Sequence, residues 1–241
     1  MTWSIVARDP ETQAFGVIVT TKFFAVGALC PFAQGGVGAL ATQAFVNVTF
    51  GPRGLRLLAN DVPAQETINA LLAGDDGRDH RQIHVIDAWG RSAAFTGSSC
   101  NDWAGHKVGE GFSVAGNLLA GPGVVEASHA DYAEGSGKPL AERLIDAMDA
   151  GQAAGGDKRG RQSAALLIYT TEEYPWLSLR VDDHPAPLIE LRRLYVEAHN
   201  DLLPFMEVLP TRANPAGITD MEVVEEILER QKRNRPGASR S

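Results

Sequence analysis

No charged side chain occurs in residues 23–52, and any fold for this chain has to accommodate that run. It is long enough for a membrane span. Against one stand Pro31, Gln34, Gln43, Asn47 and the Gly35-Gly36-Val37-Gly38 turn, which would leave polar groups without partners in lipid. Buried strands are the better reading, with residues 26–32 and 37–45 expected as two strands around the Gly35-Gly36 turn. Ahead of them, residues 2–8 and 15–21 are short and rich in Val, Ile and aromatic side chains. Asp9-Pro10-Glu11-Thr12 between them suits a type I turn. These four segments are expected to form one antiparallel sheet, buried on both faces.

Helical signals follow. Pro52 can occupy a first turn before Leu55, Leu57 and Leu58. Asp61 is the expected cap of a second helix, with Ile68, Leu71 and Leu72 on one face and Gly74 at its end. Residues 83–87 and 92–96 then read as a hairpin around Ala88-Trp89-Gly90-Arg91, and residues 112–119 as a further strand. Pro122 and Pro139 each open a helix. The second is the stronger, because Leu140, Leu144, Ile145 and Met148 form one stripe before Gly151. Strands at 163–169 and 177–181, a helix through Leu188, Leu191 and Leu194, and an amphipathic helix over 221–232 complete the chain. Residues 233–241 are expected to be disordered. Strands and helices come in blocks rather than in βαβ alternation, which indicates an α+β fold.

With 44% hydrophobic and 22% charged residues, the 241-residue chain can build a sizeable core, and one main domain is expected. Its 30 acidic against 22 basic residues give a net charge of -8, which argues against nucleic acid or anionic membranes as partners. The two cysteines, Cys30 and Cys100, lack a CxxC spacing, so neither a disulfide framework nor a zinc ribbon is suggested. A reducing cytoplasm fits, as does the lack of a basic, then apolar, leader at the start.

Position 2 is where chemistry is most pointed. Thr2 directly follows the initiator, and a residue this small favours removal of Met1. An N-terminal Thr carries its own base, because an α-amino group of pKa about 7.7 to 8.0 can accept the hydroxyl proton. A terminus that begins at once as a strand also holds such a nucleophile rigidly. The side-chain amides of Gln43, Asn47 and Asn117 lie in apolar or glycine-rich surroundings and suit the stabilisation of an oxyanion; they equally suit backbone groups at sheet edges. Trp103-Ala104-Gly105-His106 places an aromatic and an imidazole on one short segment, where His106 would orient substrate, move a proton or serve as a structural hydrogen bonder.

Other chemistry finds less support. None of the six histidines forms HExxH, so no catalytic metal is expected. The loop over residues 155–160, with Lys158, Arg159 and Arg161, lacks the GxxxxGK[ST] order; its cations would instead meet a substrate carboxylate or Asp157. Cys30, in an apolar segment without an adjacent base, reads as a small hydrophobe rather than a rival nucleophile.

Several runs together resemble one bacterial family, domain of unknown function 1028. They are Ser4-Ile5-Val6-Ala7-Arg8-Asp9-Pro10-Glu11-Thr12, Phe24-Ala25-Val26-Gly27-Ala28, Ala41-Thr42-Gln43-Ala44, Phe50-Gly51-Pro52-Arg53-Gly54-Leu55, Trp103-Ala104-Gly105-His106, Leu119-Ala120-Gly121-Pro122 and Gly155-Gly156-Asp157-Lys158-Arg159-Gly160-Arg161-Gln162-Ser163. The resemblance covers residues 2–196 and leaves 197–241 as a helical extension. It implies a fold similar to the N-terminal nucleophile hydrolases, a four-layer αββα sandwich with two antiparallel sheets, and carries the nucleophile's position onto Thr2. The expectation is an amidohydrolase for a small amide or peptide-like substrate, without a cofactor. Gln43, Asn47, His106 and Asn117 would stand around Thr2, and Trp103, Arg159 and Arg161 would bind substrate. A noncatalytic small-molecule-binding or assembly protein is the alternative. The C-terminal extension would dock on the body or on a second subunit, giving a homo-oligomer.

Overall fold

Alternate residues of the first strand, β1 (Thr2–Arg8), serve two different interiors. The computed structural model describes residues 2–234. Trp3, Ile5 and Ala7 point to a core shared with helices, whereas Ser4 and Val6 point to a second sheet. Side chains alternate across a strand, so Thr2 falls on the sheet-to-sheet side with Ser4 and Val6.

Six strands make the larger sheet, in the order β10-β9-β2-β1-β8-β7, with every neighbouring pair antiparallel. They are β2 (Phe15–Thr21), β7 (Gly105–Gly109), β8 (Phe112–Asn117), β9 (Ser163–Tyr169) and β10 (Leu177–Val181), together with β1. The smaller sheet has the order β3-β4-β5-β6, from β3 (Pro31–Gln34), β4 (Gly38–Ala44), β5 (Arg81–Asp87) and β6 (Ser92–Thr96). Three hydrophobic clusters among the described residues join the sheets to one another and to the helices. Helices α3 (Gly123–Glu134), α4 (Leu140–Ala153) and α5 (Pro187–Ala198) cover one face of the larger sheet through Val124, Leu144, Ile145, Met148 and Leu191. Val6, Val17, Val19, Ala39, Ala41 and Ile86 fill the space between the sheets. Helices α1 (Phe50–Leu58) and α2 (Ala64–Ala73) cover the smaller sheet through Phe50, Leu58, Ile68 and Leu71. The protein is therefore a mixed α+β fold with two antiparallel sheets.

The four opening strands do not form the single sheet expected of them. β1 and β2 sit at the centre of the larger sheet, while β3 and β4 belong to the smaller one. A second hairpin looks the same locally whichever sheet it joins; here the distant strands β8 and β9 take the flanks of β1 and β2. Nor do residues 26–32 run as one strand. Ala25 is left-handed at φ 53, Val26–Ala28 form a 3-10 turn, and Ser163 Oγ accepts the Val26 N–H at 3.2 Å. The turn passes so near β9 that a Cβ on Gly27 would lie 2.7 Å from the Ala165 Cβ. Pro31 then opens β3, an edge strand, where its missing N–H is tolerated.

Two further local readings change. Asp61 does not cap α2, whose first residue is Ala64; the Ala64 N–H is received by Asp87 of β5 at 3.2 Å. Gly105 and His106, expected on a short segment ahead of the next strand, instead begin β7 (Gly105–Gly109) at the edge of the larger sheet. Past the boundary expected at residue 196, α5 continues to Ala198, followed by α6 (Leu202–Met206) and α7 (Met221–Asn234). The disorder expected beyond residue 232 falls partly on α7; residues 235–241 lie outside the described residues, as does Met1. Among the described residues no helix is long and apolar enough to cross a membrane.

Candidate active site

One end of the space between the sheets is apolar and the other is polar, and Thr2 stands at the polar end. The inter-sheet side of β8 carries Ser113 and Asn117, that of β4 carries Gln43, and that of β5 carries Gln82 and His84. All five are fully or nearly fully buried. Polar groups so far from water need partners, and these find them in one another.

Gln82 is the hub. Its Oε1 accepts from Gln43 Nε2 at 2.8 Å and from Asn117 Nδ2 at 2.9 Å. Its own Nε2 donates to the Gly116 carbonyl at 2.8 Å and to Thr96 Oγ1 at 2.9 Å. The two amides it holds both reach the Thr2 carbonyl, Asn117 Nδ2 at 3.3 Å and Gln43 Nε2 at 3.4 Å. Thr2 and Asn117 are also directly opposite in the β1–β8 ladder. The backbone of residue 2 is thus fixed from two sheets at once.

A second branch runs inward. Ser4 Oγ donates to Gln43 Oε1 at 2.7 Å, which uses its single proton, so His84 Nε2 at 2.8 Å must be the donor to Ser4. His84 Nδ1 then accepts from Ser113 Oγ at 2.8 Å. Burial chiefly, with the nearby His106 second, pulls the His84 imidazole down to about 3, so it stays neutral. This Ser4–His84 pair resembles a nucleophile and its base, but Ser4, His84 and Ser113 are all fully buried and line neither cavity at this end of the sheets. Its role is to lock Gln43.

The Thr2 side chain faces a cavity of about 90 Å³ lined by Phe23, Val26, Leu29, Cys30, Thr42, Gln43, Ala44 and Val46. Its hydroxyl lies 3.3 Å from that of Thr21, the last residue of β2. The corner after Thr21 is tied down by Asp157, whose Oδ2 accepts the Lys22 N–H at 2.8 Å. Five described non-glycine residues have positive φ, and three of them, Ala25, Ala44 and Leu118, lie around this end of the sheets. Strain of roughly 1–3 kcal/mol per residue persists only where surrounding structure imposes it, and it gathers at functional sites. Two phenylalanines of the uncharged run surface here too: Phe23 is 54% and Phe45 74% exposed, although the strands between them are buried.

Of the residues singled out by sequence, Thr2, Gln43 and Asn117 are brought together. Gln43 and Asn117 direct their N–H groups at Thr2's own carbonyl and at Gln82 rather than into the cavity. Asn47 is placed elsewhere: its Nδ2 donates to Asp75 at 3.1 Å and its Oδ1 accepts from Thr49. His106, an exposed residue of β7, reaches the network only through Thr96, whose Oγ1 lies 2.9 Å from His106 Nδ1. Partial burial of the ring lowers its basicity. Trp103 packs on the helical core, and its carbonyl accepts the Leu119 N–H. Arg159 is paired with Asp157 at 3.3 Å, and Arg161 is exposed ahead of β9. Neither lines the Thr2 cavity. Cys30 does, and burial drives its thiol far above the ordinary range, so it is an unreactive wall.

Sequence reasoning leaves out Gln82 because it begins that strand at Ile83. The alternation Gln82, His84, Ile86 against Ile83, Val85 in Arg81–Asp87 is the signal that places Gln82 on the inter-sheet side. Thr21 carries a similar signal, being in step with Val17 and Val19.

The model of a family of unknown function, DUF1028, matches residues 2–191. Among solved structures, protein SPO2555 from Silicibacter pomeroyi, itself a DUF1028 structure, is 30% identical, with 91% of this chain and 96% of that one covered at a TM-score of 0.84. Anbu, the ancestral beta-subunit from Yersinia bercovieri, is 14% identical over 86% of this chain and 98% of its own, at a TM-score of 0.39. No curated protein matches the chain.

Proposed function

We propose that this chain, which belongs to the DUF1028 family of unknown function, is an amidohydrolase whose nucleophile is the hydroxyl of an N-terminal Thr2. The observation that carries the reading is the setting of Thr2: a nearly buried residue at the head of a central strand, its carbonyl held by two amides and its side chain facing a cavity. The arrangement of helices and sheets supports reading the fold as a four-layer αββα sandwich of the N-terminal nucleophile hydrolase kind.

Removal of Met1 frees the Thr2 amine. The amine takes the hydroxyl proton, Oγ1 attacks the substrate carbonyl, and the proton passes to the leaving amine. Water then hydrolyses the acyl-enzyme. Gln43 and Asn117 act as positioning residues, since their N–H groups already hold the Thr2 carbonyl. Substrates are small molecules, the reaction uses no cofactor, and the enzyme works in the cytoplasm as a homo-oligomer. Exposed apolar residues on α5 and α6, Ile189, Val196, Leu202 and Phe205, support the assembly.

Turnover of a panel of small N-acyl amides tests the reading. Thr2→Ala is expected to abolish hydrolysis and Thr2→Ser to retain part of it. Full turnover by Thr2→Ala would sink the proposal, and binding without turnover by the processed wild type would turn it into a binding scaffold.

A further inference from the structure

Thr2 stands between two cavities of different character. The smaller, of about 90 Å³, has no charged residue in its wall, which is built largely from Phe23, Val26, Leu29, Cys30 and Val46. The larger, of about 220 Å³, is lined by His80, Ser99, Cys100, Asn101 and Asn117 as well as Phe45 and Leu118. Ala44 lines both. Asn117, the ladder partner of Thr2, lines the second as Thr2 lines the first, so the pair marks the boundary between them.

Size and lining select different chemical groups on the two sides. A dry cavity of roughly 150 Å³ admits a benzene ring, so one of about 90 Å³ that opens to solvent beside the exposed Phe23 suits a short branched aliphatic chain better than an aromatic ring. The larger cavity offers hydroxyl, amide and imidazole groups to a polar ligand. No carboxylate lines either cavity, which gives a cationic ligand no counter-charge.

From this division, and resting on the reading of Thr2 as the nucleophile, we infer that the substrate is an amide of two unlike halves. A short branched aliphatic acyl group fills the cavity beside Cys30, and a neutral amine bearing hydroxyl or carboxamide groups lies against Ser99, Asn101 and Asn117. Cleavage forms the bond from Thr2 Oγ1 to the acyl carbon and breaks the bond from that carbon to nitrogen. The hydroxyl proton, carried by the Thr2 amine, leaves on the released amine.

Activated esters isolate the acyl half. Processed full-length protein is treated with the para-nitrophenyl esters of acetic, isovaleric and naphthoic acids, and the adduct is followed by intact mass and mapped by peptide digestion. Thr2 Oγ1 then takes the acyl group and nitrophenolate leaves. Isovalerate is expected to acylate Thr2 about tenfold faster than naphthoate, a discrimination within reach of a small apolar pocket. Val46→Phe, at a half-buried wall position, should erase the advantage of isovalerate over acetate. For the amine half, the acyl-enzyme should transfer its group to glycinamide faster than to isopentylamine, and Asn101→Leu should lower transfer to glycinamide.

Acylation of Thr2 at equal rates whatever the acyl size, or equal transfer to both amines, would overturn this assignment while leaving the nucleophile in place. No adduct at Thr2 with any ester would overturn both.

Discussion

Asn117 Nδ2 donates to the carbonyl of Thr2 across 3.3 Å, from the residue directly opposite it in the β1–β8 ladder. Gln43 reaches the same carbonyl from the other sheet. Most termini fray, but here the second residue of the chain is held by two buried side chains. That fixed position is what an N-terminal nucleophile needs, and the following predictions test how it is maintained.

Gln82 accepts from both amides that hold Thr2, so Gln82→Leu would leave a buried Asn117 N–H short of an acceptor and Gln43 Nε2 with only the Ala115 and Thr2 carbonyls. A loss of about 2 kcal/mol in urea unfolding is expected. Because Gln82 acts on Thr2 only through Gln43 and Asn117, kcat should fall with little change in KM. Unchanged stability and kcat would show that the hub is dispensable.

The exposed lip beside the site hangs on a part-buried ion pair. Arg81 Nε lies 2.8 Å from Asp75 Oδ2, its Nη1 donates to the Phe45 carbonyl at 2.6 Å, and Asp75 in turn receives Asn47. The Arg81 hydrogen bond holds the Asp75 carboxyl well below the usual range. Arg81→Ala leaves that part-buried carboxylate with only Asn47 and the Gly77 N–H as donors and is expected to destabilise the protein by about 1–2 kcal/mol. Adding Asp75→Asn should recover part of the loss, since the uncompensated charge is gone, and a double-mutant cycle measures the recovery.

His84 gives stability a pH dependence of definite sign. Buried between Ser4 and Ser113, it titrates at about 3, whereas an unfolded-chain histidine titrates near 6.5. Between those values the unfolded chain binds a proton that the folded one refuses, so stability falls as pH drops through about 6.5. This residue alone should remove about 2 kcal/mol between pH values of about 7 and about 5. In His84→Gln the dependence should shrink, leaving the part due to His106 and His129, which are also depressed by burial. An unchanged pH dependence in the variant would show that His84 is not the source.

Much of this was legible in the sequence, for identifiable reasons. Thr2–Arg8 and Phe15–Thr21 are short runs rich in Val, Ile and aromatic side chains joined by Asp9-Pro10, so the hairpin follows from local signals alone. Gln43 and Asn117 stand out as amides in apolar strands, and both reach Thr2. What local pattern cannot carry is long-range pairing. Nothing within residues 31–44 says that β3 and β4 leave the first hairpin for another sheet. The same limit explains Asn47, whose partner Asp75 is brought to it by the fold of α1 and α2. For the cations near residues 155–160 the sequence leaves a substrate carboxylate and Asp157 as alternatives; the geometry gives Arg159 to Asp157, which also holds the corner at Lys22.

The central claim is that residue 2 is the free, reactive end of the mature chain. Intact mass and N-terminal sequencing of the protein purified from its own cells test it most directly. The account predicts that the initiator is gone and that the sequence begins Thr2-Trp3-Ser4; a population that uniformly retains Met1 would contradict it.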